Sequence, residues 1–399
     1  MPEPFTVVDL FSGAGGMSFG FHRHPSFKLI AAADAEIGKP SMGAGTLQCN
    51  STYARNMGFA PTRVNLADLE PGRLREALGL SPTREVSVLS ACPPCTGFSR
   101  ANPVNHLRDD PRNNLVVRAA DFARELGPDI VVMENARELL RGNFKDHFNH
   151  FRDSMESAGY AVSARNHVLT CFGIPQIRER AVVIAARKPF LLKTLDDLWE
   201  GFSVKESHLT VRAAFAAISD RASGVDDFPS ISDPGVLARL RAVSRDGGSW
   251  LELVSHPDGE VLMTPAMKRL AARGKFGSHP DVYGRMSWDK PAPTIKRECA
   301  HIGNGRYAHP EEDRLCSVRE MAMLQGFPND FEFVGTSLAN QYRHIGDAVP
   351  PLISHQLAHV CEWILTGRAK TPADTFLPGT HLKPSSLTRS RQEDLFQYA

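Results

Sequence analysis

Cys95 is the side chain in this sequence best placed to act as a nucleophile. It lies in Ala91-Cys92-Pro93-Pro94-Cys95-Thr96-Gly97-Phe98-Ser99, directly after a short apolar run. Two prolines stiffen the backbone ahead of it, and Gly97 and Ser99 permit a loop behind it, so the thiol is expected on a rigid shoulder at a strand end. A C-x-x-C redox pair or half a zinc site would need Cys92 and Cys95 to act together, and two buried thiols in a turn would look the same. Zinc lacks a second nearby pair, and no metal is expected. Glu134 ends another apolar run in Met133-Glu134-Asn135-Ala136. A carboxylate there is costly unless paired or protonated, and one held neutral near pH 7 can donate a proton to a ligand. Gln176-Ile177-Arg178-Glu179-Arg180, in extended form, presents Gln176, Arg178 and Arg180 on one face. Two guanidiniums there could bind a phosphate or a ring carbonyl, or neutralise nearby acids.

A second group of residues suits a nucleoside. Phe11-Ser12-Gly13-Ala14-Gly15-Gly16 follows the first apolar run and opens a helix-like Met17–Arg23. Glycines at such a turn let the backbone approach a ligand, although the cluster does not fit G-x-G-x-x-G and a plain tight turn is the alternative. Asp34, at the end of the next run, is placed for ribose hydroxyls, with Glu36 as a rival. Asp68-Leu69, after an expected third strand, could hold an adenine amine.

The elements that must position these residues are legible as short apolar runs. Phe5–Leu10, Phe27–Ala33, Val86–Ser90, Ile130–Glu134 and Ala181–Ala186 are apolar on both faces and too short for helices, as buried parallel strands are. Amphipathic segments such as Leu115–Leu126 and Phe144–Ala158 lie between them. This alternation predicts a doubly wound α/β sheet with ligands at the carboxyl ends of its strands. After Pro189 the rhythm stops, and residues 188–290 read as a second, smaller domain of mixed structure. Helices return with Val318–Gln325 and Leu352–Leu365, and the Pro, Ser, Thr and Arg-rich end from about 370 reads as a loose tail.

Composition narrows the class. A chain of 399 residues with 42% hydrophobic and 23% charged residues has the make-up of a folded protein of two or three domains. No run approaches the roughly 18 apolar residues of a membrane span, and MPEPFTVVDL has no basic-then-apolar leader, so a soluble cytoplasmic protein is expected. Seven scattered cysteines argue for free thiols. Net charge is +1, but Lys268, Arg269, Arg273, Lys275, Arg285, Lys290, Lys296 and Arg297 face only Asp281 and Asp289 over thirty residues, a local +6. That stretch could meet phosphates or be a solvated surface.

Taken in order, F-S-G-A-G-G, P-P-C-T-G-F-S, M-E-N, Q-I-R-E-R, Arg319-Glu320-Met321-Ala322-Met323-Leu324-Gln325-Gly326-Phe327-Pro328 and Gly346-Asp347-Ala348-Val349-Pro350-Pro351 resemble the DNA cytosine-5 methyltransferase family. The resemblance runs from Val7 to about Leu365. It implies a Rossmann-like catalytic domain over 1–187 and 337–399, a target-recognition domain over 188–336, S-adenosylmethionine as cofactor and double-stranded DNA as partner. It implies Cys95 as the thiolate that adds to carbon 6 of a flipped-out cytosine, Glu134 as donor to ring nitrogen 3, and Arg178 and Arg180 near the base and sugar-phosphate. Around the cofactor it implies Pro94, Leu115, Asp347 and Val349 beside Phe11 to Gly16, Asp34, Asp68 and Leu69. For DNA contact the candidates are Ser99, Gln176, Lys268, Arg269, Arg273, Lys275, Arg285 and Arg297.

Four features depart from the family's pattern: Thr96 where Gln is usual, Ala136 where Val is usual, Asp347 where Asn is common, and a glycine-rich Gly38–Gly45 after the second strand. A tRNA methyltransferase with the same motifs is the near alternative, disfavoured by the length of 188–290. A catalytically silent DNA-binding relative is the other, and the intact Cys95, Glu134 and arginine pair count against it. A monomer is expected, with a companion restriction endonuclease as an open association.

Overall fold

The computed structural model describes residues 3–37, 47–98, 108–274, 281–334 and 337–389. A six-stranded sheet organises it: β1 (Phe5–Leu10), β2 (Phe27–Ala33), β3 (Val88–Ala91), β4 (Ile130–Ala136), β5 (Tyr160–Val168) and β6 (Glu179–Arg187), in the order β2-β1-β3-β4-β6-β5. The first four are parallel neighbours, and β6 lies antiparallel between β4 and β5. All seven residues of β4 are buried, as expected of a strand covered on both faces.

Ala181–Ala186, expected as a parallel strand, lies within β6 and runs antiparallel to both of its neighbours. Two further differences from the sequence reading have local causes. β5 alternates small apolar residues with Ser163, Arg165 and His167 at the sheet's edge, so it lacks the apolar run that marks the others. The strand expected before Asp68 is reduced to one parallel bridge, Ala33 to Thr62, because the chain turns at once and Asp68 N–H bonds Asn65 O at 3.1 Å.

Helices cover both faces. The helices α1 (Gly16–His22), α2 (Cys49–Met57), α3 (Leu115–Leu126), α4 (Asp146–Ser157), α5 (Pro265–Ala272), α6 (Val318–Leu324), α7 (Leu338–Asp347) and α8 (Pro351–Thr366) include all those expected. α3 buries Val116, Ala119, Ala120, Phe122 and Ala123 against the sheet and stops at left-handed Gly127. α8 begins at Pro351, which supplies helix-ready φ where no amide donor is needed, and packs closely on α1.

One continuous core joins sheet residues such as Val7, Val88 and Ile184 to Trp199, Val211, Ile295, Met321, Phe327 and Leu357. A second layer under the other face holds Leu89, Val131, Met133 and Phe151. Val243, Trp250, Leu253 and Met267 form a small core of their own.

From about residue 370 to Arg389 the chain is not the loose tail its composition suggests. Residues Leu377 and Leu382 are buried, and β8 (Leu387–Arg389) pairs antiparallel with β7 (Phe202–Val204). Leu382 fills the space beside Gly173 so closely that a Cβ there would meet Leu382 Cδ1 at 2.2 Å. Among the described residues, no helix is long and apolar enough to cross a membrane.

Candidate active site

The carboxyl ends of β3 and β4 carry Cys95 and Glu134, and backbone bonds knit the two ends together. Asn135 Nδ2 donates to Pro93 O at 3.0 Å, Glu134 N–H donates to Cys92 Sγ at 3.3 Å, and Ala136 N–H donates to Asn135 Oδ1 at 2.8 Å. Cys92 is therefore a fastening for β4, while Cys95 stands partly exposed beyond the Pro-Pro shoulder. Burial, then the charge of Glu134, push the Cys95 thiol up to about 12, with Arg180 and Arg178 pulling it back. Glu134 is buried, and its Oε1 lies 2.9 Å from Arg180 Nε. The two atoms are misaligned for a hydrogen bond, and both are buried with no hydrogen-bond partner. A charged pair with unspent hydrogen-bonding capacity beside a thiol is an arrangement suited to a polar ring.

Beyond β1, the glycine turn is shaped by close contacts. Gly13 sits at φ +52°, a conformation that favours glycine, with open space where a Cβ would be. A Cβ on Gly16 would lie 2.3 Å from Val349 O, so its absence lets the Gly346–Pro351 segment rest on the turn. Asp34 Oδ2 accepts Gly13 N–H at 2.9 Å and its Oδ1 accepts Glu36 N–H at 2.6 Å, so this carboxylate pins the turn. Glu36 Oε1 accepts Asn50 N–H at 2.9 Å. Asp9 Oδ1, Ser12 Oγ and Ser90 Oγ are buried nearby with no hydrogen-bond partner. Burial pushes Asp9 up to about 6 against the opposing bond from Ser18. Orphaned polar atoms beside an open glycine turn fit the polar portion of a nucleoside-linked amino acid.

A family model for C-5 cytosine-specific DNA methylases matches residues 5–363, which include both groups. The chain belongs to that family. It is a DNA (cytosine-5) methyltransferase whose methyl donor is S-adenosylmethionine. Among curated relatives it is 31% identical over 371 residues to Type II methylase M.HgiDII of Herpetosiphon aurantiacus, covering 90% of this chain and 96% of the relative. It is 29% identical to Type II methyltransferase M1.BsuMI of Bacillus subtilis, covering 89% and 80%. The fold is similar to that of the Entamoeba histolytica methyltransferase EhMeth, with a TM-score of 0.59 at 16% identity over 91% of this chain and 99% of that one.

Other candidate residues of this methyltransferase divide by placement. Arg178 is buried and braces the backbone: Nη1 donates to Ile295 O at 3.0 Å, and Nη2 lies 3.5 and 3.3 Å from Gly346 O and Ala348 O. Only its Nε is left without a partner, and burial pulls the guanidinium below its ordinary value. Gln176 is fully buried, tied to Gln325 Oε1 at 2.7 Å and to Ile295 N at 2.9 Å, so it secures the Ile295 segment and cannot reach DNA. Arg285 is likewise withdrawn from any phosphate: it is 1% exposed and spends its guanidinium on Leu240 O, His309 O, Glu312 O and Asp313. Arg297 pairs with Asp347 at 3.2 Å, and burial pushes Asp347 up to about 6.

Lys268 pairs with Glu260, while Arg269 and Arg273 are exposed on or just after α5. Leu115 and Val349 are buried, and Pro94 is exposed next to Cys95. Asp68 is exposed and bonded by Asn65 Nδ2 at 2.5 Å, with Leu69 partly buried beside it. Ser99, Lys275 and the stretch Gly38–Gly45 lie outside the described residues.

The sequence reading gave no role to Asp9, Ser90 or Asn135. Asp9 carried the signal that exposed Glu134, a carboxylate near the end of a buried strand. Asn135 stood inside the quoted M-E-N motif, but its bond to Pro93 O becomes visible only when β3 and β4 are paired.

Proposed function

We propose that this enzyme methylates a cytosine turned out of a specific duplex sequence, with Cys95 as covalent nucleophile and Glu134 as proton carrier. The observation that carries this reading is the pair Glu134 Oε1 and Arg180 Nε, buried without hydrogen bonds beside the Cys95 thiol on its rigid shoulder. Carbon 5 of cytosine is a poor nucleophile until a thiolate adds to carbon 6. The Cys95 proton passes to Glu134 and from there to ring nitrogen 3 as the sulfur–carbon 6 bond forms. The ring's π electrons then lie between carbons 4 and 5, which makes carbon 5 nucleophilic. S-adenosylmethionine supplies an electrophilic methyl group at that carbon. Water takes the carbon 5 proton, which restores the 5,6 double bond and expels Cys95 as thiolate; nitrogen 3 returns its proton to Glu134, which passes it back to Cys95. Arg180 balances the carboxylate through this cycle, and Arg178 holds the Ile295 and Gly346–Ala348 backbones around it.

Phe11 to Gly16, with Asp9, Ser12 and Ser90, would hold the donor's polar end, and Asp34 with Glu36 its ribose. Asp68, Leu69, Pro94, Leu115, Asp347 and Val349 complete the proposed cofactor set. We assign target recognition to 188–336, within which the separate small core of Val243, Trp250, Leu253 and Met267 carries α5 and its exposed Arg269 and Arg273. Its relatives M.HgiDII and M1.BsuMI are Type II methylases, which supports an enzyme that works beside a restriction endonuclease, and we propose that it acts as a monomer. Transfer of labelled methyl from S-adenosylmethionine to duplex DNA, with 5-methylcytosine as product at one sequence, is the expected result. Transfer to tRNA transcripts alone would overturn the substrate.

A further inference from the structure

A polar cluster at the amino end of β2, the opposite edge of the sheet from Cys95, takes no part in this chemistry. His24 lies in the turn between α1 and β2, and His359 and Glu362 lie three residues apart on α8, hence on one face of it. His24 Nε2 is 3.1 Å from His359 Nδ1 and 3.6 Å from Glu362 Oε2, and all three donor atoms fall within 4.8 Å of one another. Tetrahedral zinc at about 2.0–2.1 Å from each ligand sets neighbouring donors about 3.3–3.4 Å apart. The two separations made by His24 bracket that edge before any side chain moves. Both histidines are buried, and burial keeps both rings neutral, the form that offers a lone pair. Ser26 Oγ donates to Glu362 Oε1 at 2.7 Å, which orients the carboxylate and leaves Oε2 toward the rings. His355 is close by but turned away, with Nδ1 serving Gly20 O at 3.2 Å.

We propose that His24, His359 and Glu362 form a second, non-catalytic site for a divalent cation of the zinc or cobalt class, fastening α1 to α8 and guarded by Lys370. Two imidazoles and one carboxylate favour that class over magnesium or calcium, which prefer all-oxygen sets. Two features oppose loading and define how the site behaves. The Lys370 ammonium lies 2.6 Å from Glu362 Oε2 and competes directly with the ion. Ser26 N–H donates to His24 Nδ1 at 3.2 Å, so loading shifts the ring proton from Nε2 to Nδ1 and forfeits that bond. Lys370 is partly exposed on the loop after α8 and can swing to solvent.

The test is calorimetric titration of chelator-stripped protein with zinc chloride alone, beside thermal melts with and without zinc. One equivalent should bind the wild type. Lys370→Ala should bind about tenfold tighter or more, and Glu362→Gln and His359→Gln at least about tenfold more weakly. Zinc should raise Tm most in Lys370→Ala and leave the methylation rate unchanged. Glu362 is partly exposed, so Glu362→Gln decides the matter if His359→Gln fails to fold. Binding unchanged across these variants would place the ion elsewhere, on thiols such as Cys92 and Cys95. A folded Lys370→Ala protein that binds no zinc would also overturn the site.

Discussion

Replacing Glu134 with Gln should change two properties of Cys95 in opposite directions. The negative charge of Glu134 ranks next to burial among the causes that push this thiol up, so its removal favours the thiolate. Cys95 follows the end of β3 beside Glu134 of the neighbouring β4, and a separation of about 7 Å, two residues' rise along a strand, sets the scale. Unit charges about 7 Å apart at an effective dielectric of about 20 interact by roughly 2.4 kcal/mol, or about 1.7 pKa units. The thiolate fraction at neutral pH should rise about fifty-fold. A less basic thiolate is a weaker nucleophile, with a Brønsted slope of about 0.4–0.5, which trims the net gain to about tenfold. Iodoacetamide labelling of Cys95, followed by peptide mass spectrometry, measures it. Methyl transfer by the same variant should fall by about 10²–10⁴, because the proton for ring nitrogen 3 is lost. Slower labelling, or methyl transfer within a few-fold of wild type, would refute the role given to Glu134.

Three other outcomes follow from placements described above. Asp9 is held near 6 against an unfolded value of about 3.9, so its contribution to stability is present below about pH 4 and lost as pH rises through 6. In cofactor-free unfolding, the stability advantage of Asp9→Asn over wild type should grow across that window by up to about 3 kcal/mol, and a pH-independent difference would contradict the assignment. Truncation after Arg368 should cost roughly 3–6 kcal/mol from the burial of Leu377 and Leu382 alone and abolish soluble folding, whereas truncation after Arg389 should not. Arg269→Ala with Arg273→Ala should weaken binding to target and random duplexes alike and flatten the salt slope by about two, while Arg285→Ala should lower Tm instead; an unchanged slope removes α5 from the DNA surface.

The strands Phe5–Leu10 and Phe27–Ala33 were readable because, Thr6, Asp9 and Lys28 apart, they are unbroken apolar runs of strand length. β5 was not, since Ser163, Arg165 and His167 interrupt its apolar residues and leave no such run. Cys95 and Glu134 stood out because strand ends in this sheet class face ligands and because their neighbours are stiff or apolar. Arg285 shows the limit of counting charge: a guanidinium wrapped in carbonyls from Leu240, His309 and Glu312 adds to the local +6 as fully as an exposed one. The end of the chain misled for a related reason. Leu377 and Leu382 are anchored by tertiary contacts with irregular spacing, which no helical or strand period reveals.

Covalent capture at Cys95 tests the catalytic assignment most directly. Elimination needs a removable proton on carbon 5, so duplex DNA carrying 5-fluorocytosine at the target cytosine should trap the enzyme after methyl transfer. Cys95→Ser should abolish both turnover and trapping. Cys92→Ser should retain most of both, because Cys92 Sγ only accepts the Glu134 amide. A folded Cys95→Ser enzyme that still methylates cytosine, or an adduct mapped to Cys92, would contradict the nucleophile and with it the mechanism built around it.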